Sequence, residues 1–177
     1  MTTRLTDSPW GRPDFQKEIA PGIVKLSTPS HGGYHLSAER WAELVRLMPR
    51  FLSWTGAQWL EEDCDWAAVP ACWPEFFDDD ARFDAHRSLS GRHPREDVGA
   101  EFWESEHGRQ FTAGVEVYRA TLAGKFERGG MSTDGDGWHV HFVDLAGEGL
   151  WLHLVDYPAG QWFTVAELDA LPRYKES

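Results

Sequence analysis

The alternation of apolar and polar residues predicts a strand, a tight turn and a second strand near the start of the chain. Residues 23–28 combine β-branched and apolar side chains, which suit a half-buried strand. Pro29 then removes a backbone donor, and the turn at 30–33 ends in two glycines that can adopt positive φ. We expect residues 34–36 to form the returning strand and residues 10–21 to be irregular.

A helical period follows directly after the second strand. Ser37 suits an N-cap position, and the next apolar residues recur at three- and four-residue spacing. Residues 58–61 are expected to add a third strand, after which Asp63 or Asp65 would cap a short helix over residues 66–69. The apolar residues that define the first helix are Trp41, Leu44, Val45 and Met48.

The middle of the chain is rich in aromatic residues and is expected to be helical. The acidic run 78–80 suits the start of a helix, because negative charge is favoured at the positive end of the helix dipole. Residues 90–95 predict a loop. Residues 98–122 predict one or two helices, since their large apolar side chains fall near helical spacing, while Gly108 and Gly114 disfavour an unbroken one.

The period changes to two in the last third of the chain. Strands are predicted over residues 126–132, 138–144 and 150–156, with an Asp-Gly turn between the first two. A capping box that begins at Thr164 predicts a short final helix.

Together these elements predict an α+β fold. It consists of an N-terminal strand–turn–strand–helix unit, a helical aromatic middle, and a C-terminal antiparallel β-meander of about three strands with a short terminal helix. A length of 177 residues is most simply one domain, residues 1–177, and residues 90–96 are the best candidate for a subdomain seam.

Composition and charge narrow the classes of function. The formal charge of −12 disfavours a protein that binds nucleic acid directly, because neutralising phosphates requires a basic stripe. No run approaches the ~20 apolar residues of a membrane helix, and the first residues contain no apolar signal segment. We therefore expect a cytoplasmic protein without membrane contact, in which Cys64 and Cys72 remain thiols.

Two short segments carry candidate chemistry. The backbone N–H groups of the Ser-His-Gly-Gly turn could form an anion-binding nest, or the turn could simply join two strands. The run from Glu61 to Asp65 offers general acid/base carboxylates or a hard-cation site, or it is a solvated loop that caps a helix. Its carboxylates would raise the pKa of Cys64, which argues against a nucleophilic thiol.

The predicted C-terminal hairpin places three histidines on one sheet face. In the register that buries the intervening apolar residues, His141 lies near His153, and His139 is on the same face. Three imidazoles on one face could bind zinc or a similar metal. The alternative is a half-polar face whose rings pack on Trp151 or contact solvent. The apolar residues of this register are Val140, Phe142, Leu152 and Leu154.

Several segments resemble an uncharacterised domain family of small proteins encoded by phages, plasmids and integrative elements. The resemblance lies in Trp10-Gly11, residues 19–22, the Ser-Thr-Pro-Ser-His-Gly-Gly run at 27–33 and the Glu-Glu-Asp-Cys-Asp-Trp run at 61–66. A looser similarity continues through the aromatic middle to residues 162–165. The resemblance implies an accessory role in a mobile element, and it implies no catalytic residues.

We therefore expect a non-enzymatic accessory protein of a mobile element, which binds and inhibits a host or defence-system protein with a basic surface and needs no cofactor. An acidic, aromatic-edged face would make the contact and could imitate the charge of nucleic acid, as an anti-CRISPR or antirestriction protein would. The expected partner-binding residues are Glu61, Glu62, Asp63, Asp65, Asp78, Asp79, Asp80 and Asp84.

The alternative is a small metal-assisted or acid/base enzyme. An enzyme requires that its groups converge in one concave pocket, whereas an inhibitor requires a contiguous exposed acidic patch. The catalytic candidates are Ser30, His31, His35, Glu61, Glu62 and Asp65, and the metal-binding candidates are His139, His141 and His153.

Overall fold

The chain has an α+β fold, as predicted from its sequence. It divides into two compact units, residues 1–116 and residues 117–177. The computed structural model describes residues 4–51, 53, 55–56, 58–91, 98–133, 137–156, 158 and 160–174.

The first unit contains a four-stranded antiparallel sheet whose strands follow one another in sequence order. The apolar side chains of the second and third strands are buried, among them Ile23, Leu26 and Leu36. This burial explains why the alternating pattern identified both strands. The strands are β1 (Phe15–Ala20), β2 (Ile23–Ser27), β3 (Gly32–Leu36) and β4 (Trp59–Glu61).

Strand β1 corrects one prediction, because it lies within residues 10–21, which were expected to be irregular. It is an edge strand that pairs only with β2, and its Lys17 and Glu18 are exposed. An edge strand can form a hydrogen-bonded ladder without burying a complete face, so its sequence has no strong apolar alternation.

In the first unit, one helix packs on the third strand of this sheet, and the two helices that follow pack in succession. Helix α1 packs against β3 and α2, and α2 packs against α3. As predicted, Ser37 caps α1, and its Oγ accepts a hydrogen bond from the Arg40 N–H. The helices that begin in the first unit are α1 (Ala38–Leu47), α2 (Ala68–Cys72), a 3-10 turn (Pro74–Phe76), α3 (Asp79–Gly91), α4 (Ala100–Glu104) and α5 (Glu106–Thr121), of which α5 continues past residue 116.

The start of α2 differs from the prediction that Asp63 or Asp65 would cap a helix over residues 66–69. Its N-cap is Ala67, and no side chain bonds to the end of the helix. Residues 62–67 instead form successive turns, in which the N–H groups of residues 64–66 all donate to the carbonyl of Glu61. The acidic run is therefore organised by that carbonyl and not by capping.

The predicted loop at 90–95 and the seam at 90–96 fall mainly on residues 92–97, which lie outside the part that the structure describes. Ser90 and Gly91 belong to the last turn of α3, where a loop was expected.

The second unit is built on another four-stranded antiparallel sheet, with strand order β7-β6-β5-β8. The prediction of about three strands missed β8, which pairs with β5 and sets Phe163 opposite Phe126. The predicted capping box at Thr164 is present and begins α6. The elements are β5 (Lys125–Thr133), β6 (Trp138–Val143), β7 (Gly149–Leu154), β8 (Trp162–Thr164) and α6 (Val165–Ala170).

A single apolar cluster holds the second unit together. Side chains from three of its strands and from α6 meet in this cluster, and Phe142 packs edge-to-face on Phe163 with ring centroids 5.4 Å apart. The buried members are Val140, Phe142, Leu154, Phe163 and Leu168. The predicted Asp-Gly turn between β5 and β6 falls on residues 134–136, outside the described residues.

Among the described residues, no helix combines the length and the apolar character that crossing a membrane requires.

Candidate functional site

Strand pairing brings together the two segments that carry candidate chemistry. Strand β3 runs antiparallel to β4, with Gly33 opposite Glu61. One residue beyond β4, the Glu62 N–H donates to the carbonyl of Gly32 over 3.0 Å. The Ser-His-Gly-Gly turn and the acidic run therefore lie side by side, although they are distant in sequence.

The turn between β2 and β3 is closed by Thr28. Its backbone N–H donates to the carbonyl of His31 over 2.7 Å, and its hydroxyl donates to the same carbonyl over 3.0 Å. Ser30 is left exposed at the tip, and within the described residues its side chain has no hydrogen-bond partner. Nothing in this geometry activates the Ser30 hydroxyl as a nucleophile, since activation requires an adjacent base.

Position 33 must be a glycine, because a backbone carbonyl and an aromatic ring lie too close to leave room for a Cβ. A Cβ there would overlap the carbonyl oxygen of Leu60 and stand 2.8 Å from Cη2 of Trp10. Trp10 also packs edge-to-face against Trp59, with centroids 5.9 Å apart, and Trp59 lies 4.4 Å from the ring of His35. Burial lowers the pKa of His35, so this imidazole is an uncharged packing partner at neutral pH.

Glu61 is a buried carboxylate that contacts the turn. Its side chain is only 8% exposed, whereas that of His31 is 51% exposed. One carboxylate oxygen accepts the Asp63 N–H over 2.8 Å, and the other lies 3.4 Å from Nδ1 of His31. Burying a carboxylate without such partners costs free energy. Because Glu61 contacts Nδ1 of the His31 imidazole, Nε2 of that ring is left available for proton transfer.

Cys64 lacks the lowered pKa of a reactive thiol, and Asp65 is a buried carboxylate. Burial raises the pKa of the Cys64 thiol, and the hydrogen bond to Glu61 and the neighbouring carboxylates raise it further. The thiolate is therefore disfavoured at neutral pH. Asp65 is 2% exposed, and the hydroxyl of Ser53 lies 3.4 Å from its carboxylate.

Both acidic segments lie near β3. Gly32 and Tyr34 share a face of this strand, because side chains alternate along it. The Glu62 carboxylate lies against Gly32 on that face, 2.5 Å from where a Cβ would stand. Tyr34 packs edge-to-face on Phe77, the residue before Asp78, with ring centroids 6.0 Å apart. Burial, followed by the charge of Asp78, raises the pKa of Tyr34 to about 12. We call the exposed acidic residues here, Glu62, Asp63, Asp78 and Asp79, the acidic face.

Several expected partner-binding residues also have structural roles or are buried. The Asp78 carboxylate accepts the Ala81 N–H at the start of α3, and Asp79 forms an ion pair with Arg82. Glu61 and Asp65 are buried, so they support the acidic face without being part of its surface. Asp80 and Asp84 are half-buried.

The histidines of the second unit do not pair as expected. The predicted register placed His141 near His153, but the register of β6 and β7 sets His139 opposite His153. Those two rings stack at 4.0 Å, and His141 stacks on Trp151 at 4.7 Å. In the part of the chain that the structure describes, no group of three or more His, Cys, Asp or Glu residues is arranged to hold a metal ion.

Sequence reasoning did not place Trp10, Ser53 or Trp59 beside the candidate site. Trp10 was identified only as part of a run that resembles a known family, and its contact with Gly33 depends on folding across the sheet. No local pattern could have revealed the Ser53–Asp65 contact, because it joins the segment before β4 to the turns after it.

These features define an α+β protein with two antiparallel sheets, in which a glycine turn and a partly buried acidic run are joined by strand pairing. Residues 3–123 match the family described as a domain of unknown function (DUF7007), and the chain belongs to that family. The expectation of an uncharacterised family is thereby confirmed, and the match spans the whole candidate site. No curated protein and no solved structure matches the chain.

Proposed function

We propose that this protein is a non-enzymatic accessory protein of a phage or other mobile element. In the cytoplasm it binds a host or defence-system protein, such as a component of a CRISPR or restriction system, and inhibits it. The observation that supports this proposal is that both acidic segments lie near β3, in a chain whose formal charge is −12. Glu62 lies against Gly32, and Asp78 follows Phe77, which packs on Tyr34.

The proposed contact is electrostatic and aromatic. Exposed carboxylates spread over one face attract a basic groove that normally holds nucleic acid, and they accelerate association with it. Phe76 is 39% exposed and lies two residues before Asp78, so it supplies an aromatic edge to the acidic face. Aromatic side chains at the rim of such a face add apolar contact to an otherwise charge-driven interaction.

The test begins with capture of the partner from host lysate, followed by binding measurements on the purified pair. Neutralising the acidic face with Glu62→Gln, Asp63→Asn and Asp79→Asn should weaken binding by about tenfold or more and reduce its salt dependence. DNA should compete with the protein for its partner if the two occupy the same groove.

A matched control removes the same charge elsewhere. Glu148, Asp156 and Asp169 are exposed acids of the second unit, and neutralising them gives the control variant. This control variant, whose net charge becomes less negative by the same three units, should retain its affinity for the partner. Equal weakening by both triple variants would indicate a nonspecific effect of net charge, and no weakening by either would refute the acidic-face proposal.

A second candidate function rests on the contact between His31 and the buried Glu61. An imidazole oriented by a carboxylate can act as a general base, as in many hydrolases. If the protein is an acid/base enzyme, an ester-hydrolysis screen should detect activity that His31→Gln and Glu61→Gln abolish and that Ser30→Ala retains. Activity that survives His31→Gln would exclude this site.

A further inference from the structure

The helical part of the first unit contains a cleft that plays no role in the proposed function. It has a volume of about 550 Å³, which is within the range of small-molecule sites. It lies among α3, α4 and α5, and none of its lining residues belongs to the acidic face. Its lining residues include His86, Ser90, Trp103, Arg109, Thr112 and Ala113.

Each polar side chain that lines this cleft can donate a hydrogen bond. His86 and Ser90 are one helical turn apart on α3, and Arg109 and Thr112 occupy one face of α5. A guanidinium donates but cannot accept, and hydroxyl and imidazole groups can donate to an anion. A donor-rich cleft is unusual in a chain that has 29 acidic and 17 basic residues.

Trp103 supplies a second, independent indication of a ligand. Its side chain lines the cleft, is only 9% exposed, and packs edge-to-face on His86 with centroids 5.3 Å apart. Its indole N–H is buried and has no hydrogen-bond partner among the described residues. A buried donor left without an acceptor is costly, and a ligand oxygen that entered the cleft deeply enough to reach the indole would satisfy it.

Arg109 supports the same conclusion. It is exposed, and in the described part of the chain its guanidinium forms no ion pair or hydrogen bond, even though acidic residues outnumber basic ones. Guanidinium groups bind carboxylate and phosphate groups through two parallel hydrogen bonds. An uncommitted guanidinium at the mouth of a cleft is therefore suited to a soluble anion.

We propose that this cleft binds a small organic anion that consists of a carboxylate or phosphate group on a flat apolar body. The anionic oxygens accept hydrogen bonds from Arg109 and from the hydroxyls of Ser90 and Thr112. The flat body packs against the rings of Trp103 and His86. Because the protein as a whole repels anions, saturable anion binding requires a specific site.

The experiment uses the full chain labelled with ¹⁵N and phenyl phosphate as the probe, with benzyl alcohol as its neutral counterpart. The indole N–H signal of Trp103 is assigned by its loss in Trp103→Phe. Phenyl phosphate should shift that signal saturably, and benzyl alcohol should bind at least about tenfold more weakly, since it lacks the charge-assisted contacts. Equal binding of the two probes would overturn the anion assignment.

Two variants test whether the anion binds beside Arg109. Arg109→Gln should weaken phenyl phosphate binding by about tenfold, whereas Arg46→Gln, which removes an exposed arginine from α1, should leave it unchanged. Thr112→Val provides a second test within the cleft if Arg109→Gln does not fold. No saturable shift in the parent protein, or unchanged affinity in Arg109→Gln, would refute the proposed site, whatever the fate of the acidic-face proposal.

Discussion

At the scale of single residues, Glu61 connects most of the candidate site. Its backbone carbonyl receives three N–H groups from the following turns, and its carboxylate contacts both the Asp63 N–H and His31. The sequence suggested an exposed acid in a solvated loop or a catalytic group. The structure places this carboxylate in the interior, where its hydrogen bonds offset the cost of desolvation.

The pair Tyr34 and Asp78 leads to a pH-dependent prediction. Burial, followed by the charge of Asp78, raises the pKa of Tyr34 to about 12 in the folded chain, whereas the pKa of a tyrosine in an unfolded chain is ~10. The unfolded state therefore binds fewer protons between these values, so stability should fall as pH rises from about 10 to 12 and be unaffected by this group below that window. Denaturant unfolding at several alkaline pH values measures this loss, which Tyr34→Phe should remove.

The same pair tests whether the acidic segments meet at β3. Asp78→Asn should lower the pKa of Tyr34, because it removes the charge contribution while the larger contribution from burial remains. Ultraviolet titration of tyrosinate measures this shift, with Tyr34→Phe identifying the transition. Asp79→Asn, one residue further along and ion-paired with Arg82, should change the pKa less. Equal shifts in both variants would argue against proximity of Asp78 to the phenol.

At the scale of secondary-structure elements, the break between α4 and α5 lies at Ser105 and not at either glycine that was expected to interrupt the helix. The Ser105 hydroxyl donates to the Phe102 carbonyl over 2.7 Å and accepts the Gly108 N–H over 2.9 Å. One serine thus ends the first helix and begins the second. Gly108 allows the first turn of α5 to approach the end of α4.

The two glycines of α5 should respond oppositely to substitution. A Cβ at Gly108 would overlap the carbonyl oxygen of Phe102, whereas a Cβ at Gly114 meets nothing within 4 Å. We expect Gly108→Ala to lower the free energy of unfolding by roughly 2 kcal/mol or more. Gly114→Ala should raise it by about 0.5–1 kcal/mol, because alanine is the better helix former.

Urea denaturation of both glycine variants, compared with the parent chain, measures these changes. Gly114→Ala is the matched control, since it makes the same chemical change in the same helix. A stabilising Gly108→Ala would show that α4 and α5 do not approach as closely as the structure places them.

The helices and strands that could be predicted from the sequence are those whose capping residues or apolar pattern lie within the element itself. Capping at Ser37 and Thr164 depends on a side chain and an amide three positions away, so a local reading identified both. Strands β1 and β8 were missed because one is a polar edge strand and the other has three residues. Their formation depends on a partner strand that the local pattern does not reveal.

At the scale of the whole molecule, the excess of acidic over basic residues makes the charges of the folded chain repel one another. A formal charge of −12 on 177 residues produces self-repulsion in the folded state, which salt screens. The acidic residues are concentrated enough at β3 to form a face, but some of them also hold α3 and the turns after β4 in place.

We therefore predict that stability increases with ionic strength. Raising the salt concentration from about 0.01 M to about 0.15 M should raise the melting temperature by roughly 2–4 °C, which corresponds to ~1 kcal/mol for a chain of this length. Circular dichroism melting in a potassium chloride series measures the effect, and an uncharged osmolyte at equal osmolality is the control. A melting temperature that falls with salt would mean that attractive ion pairs outweigh the repulsion.

The fold class, the two capped helices, the principal strands and the acidic character of the chain could all be predicted from the sequence. These properties depend on composition and on residues a few positions apart. Three further features became apparent only from the folded chain: the glycine turn lies beside the acidic run, Glu61 and Asp65 are buried, and Trp103 lines a cleft with several hydrogen-bond donors. Those outcomes depend on strand register and helix packing between distant segments, which no local pattern specifies.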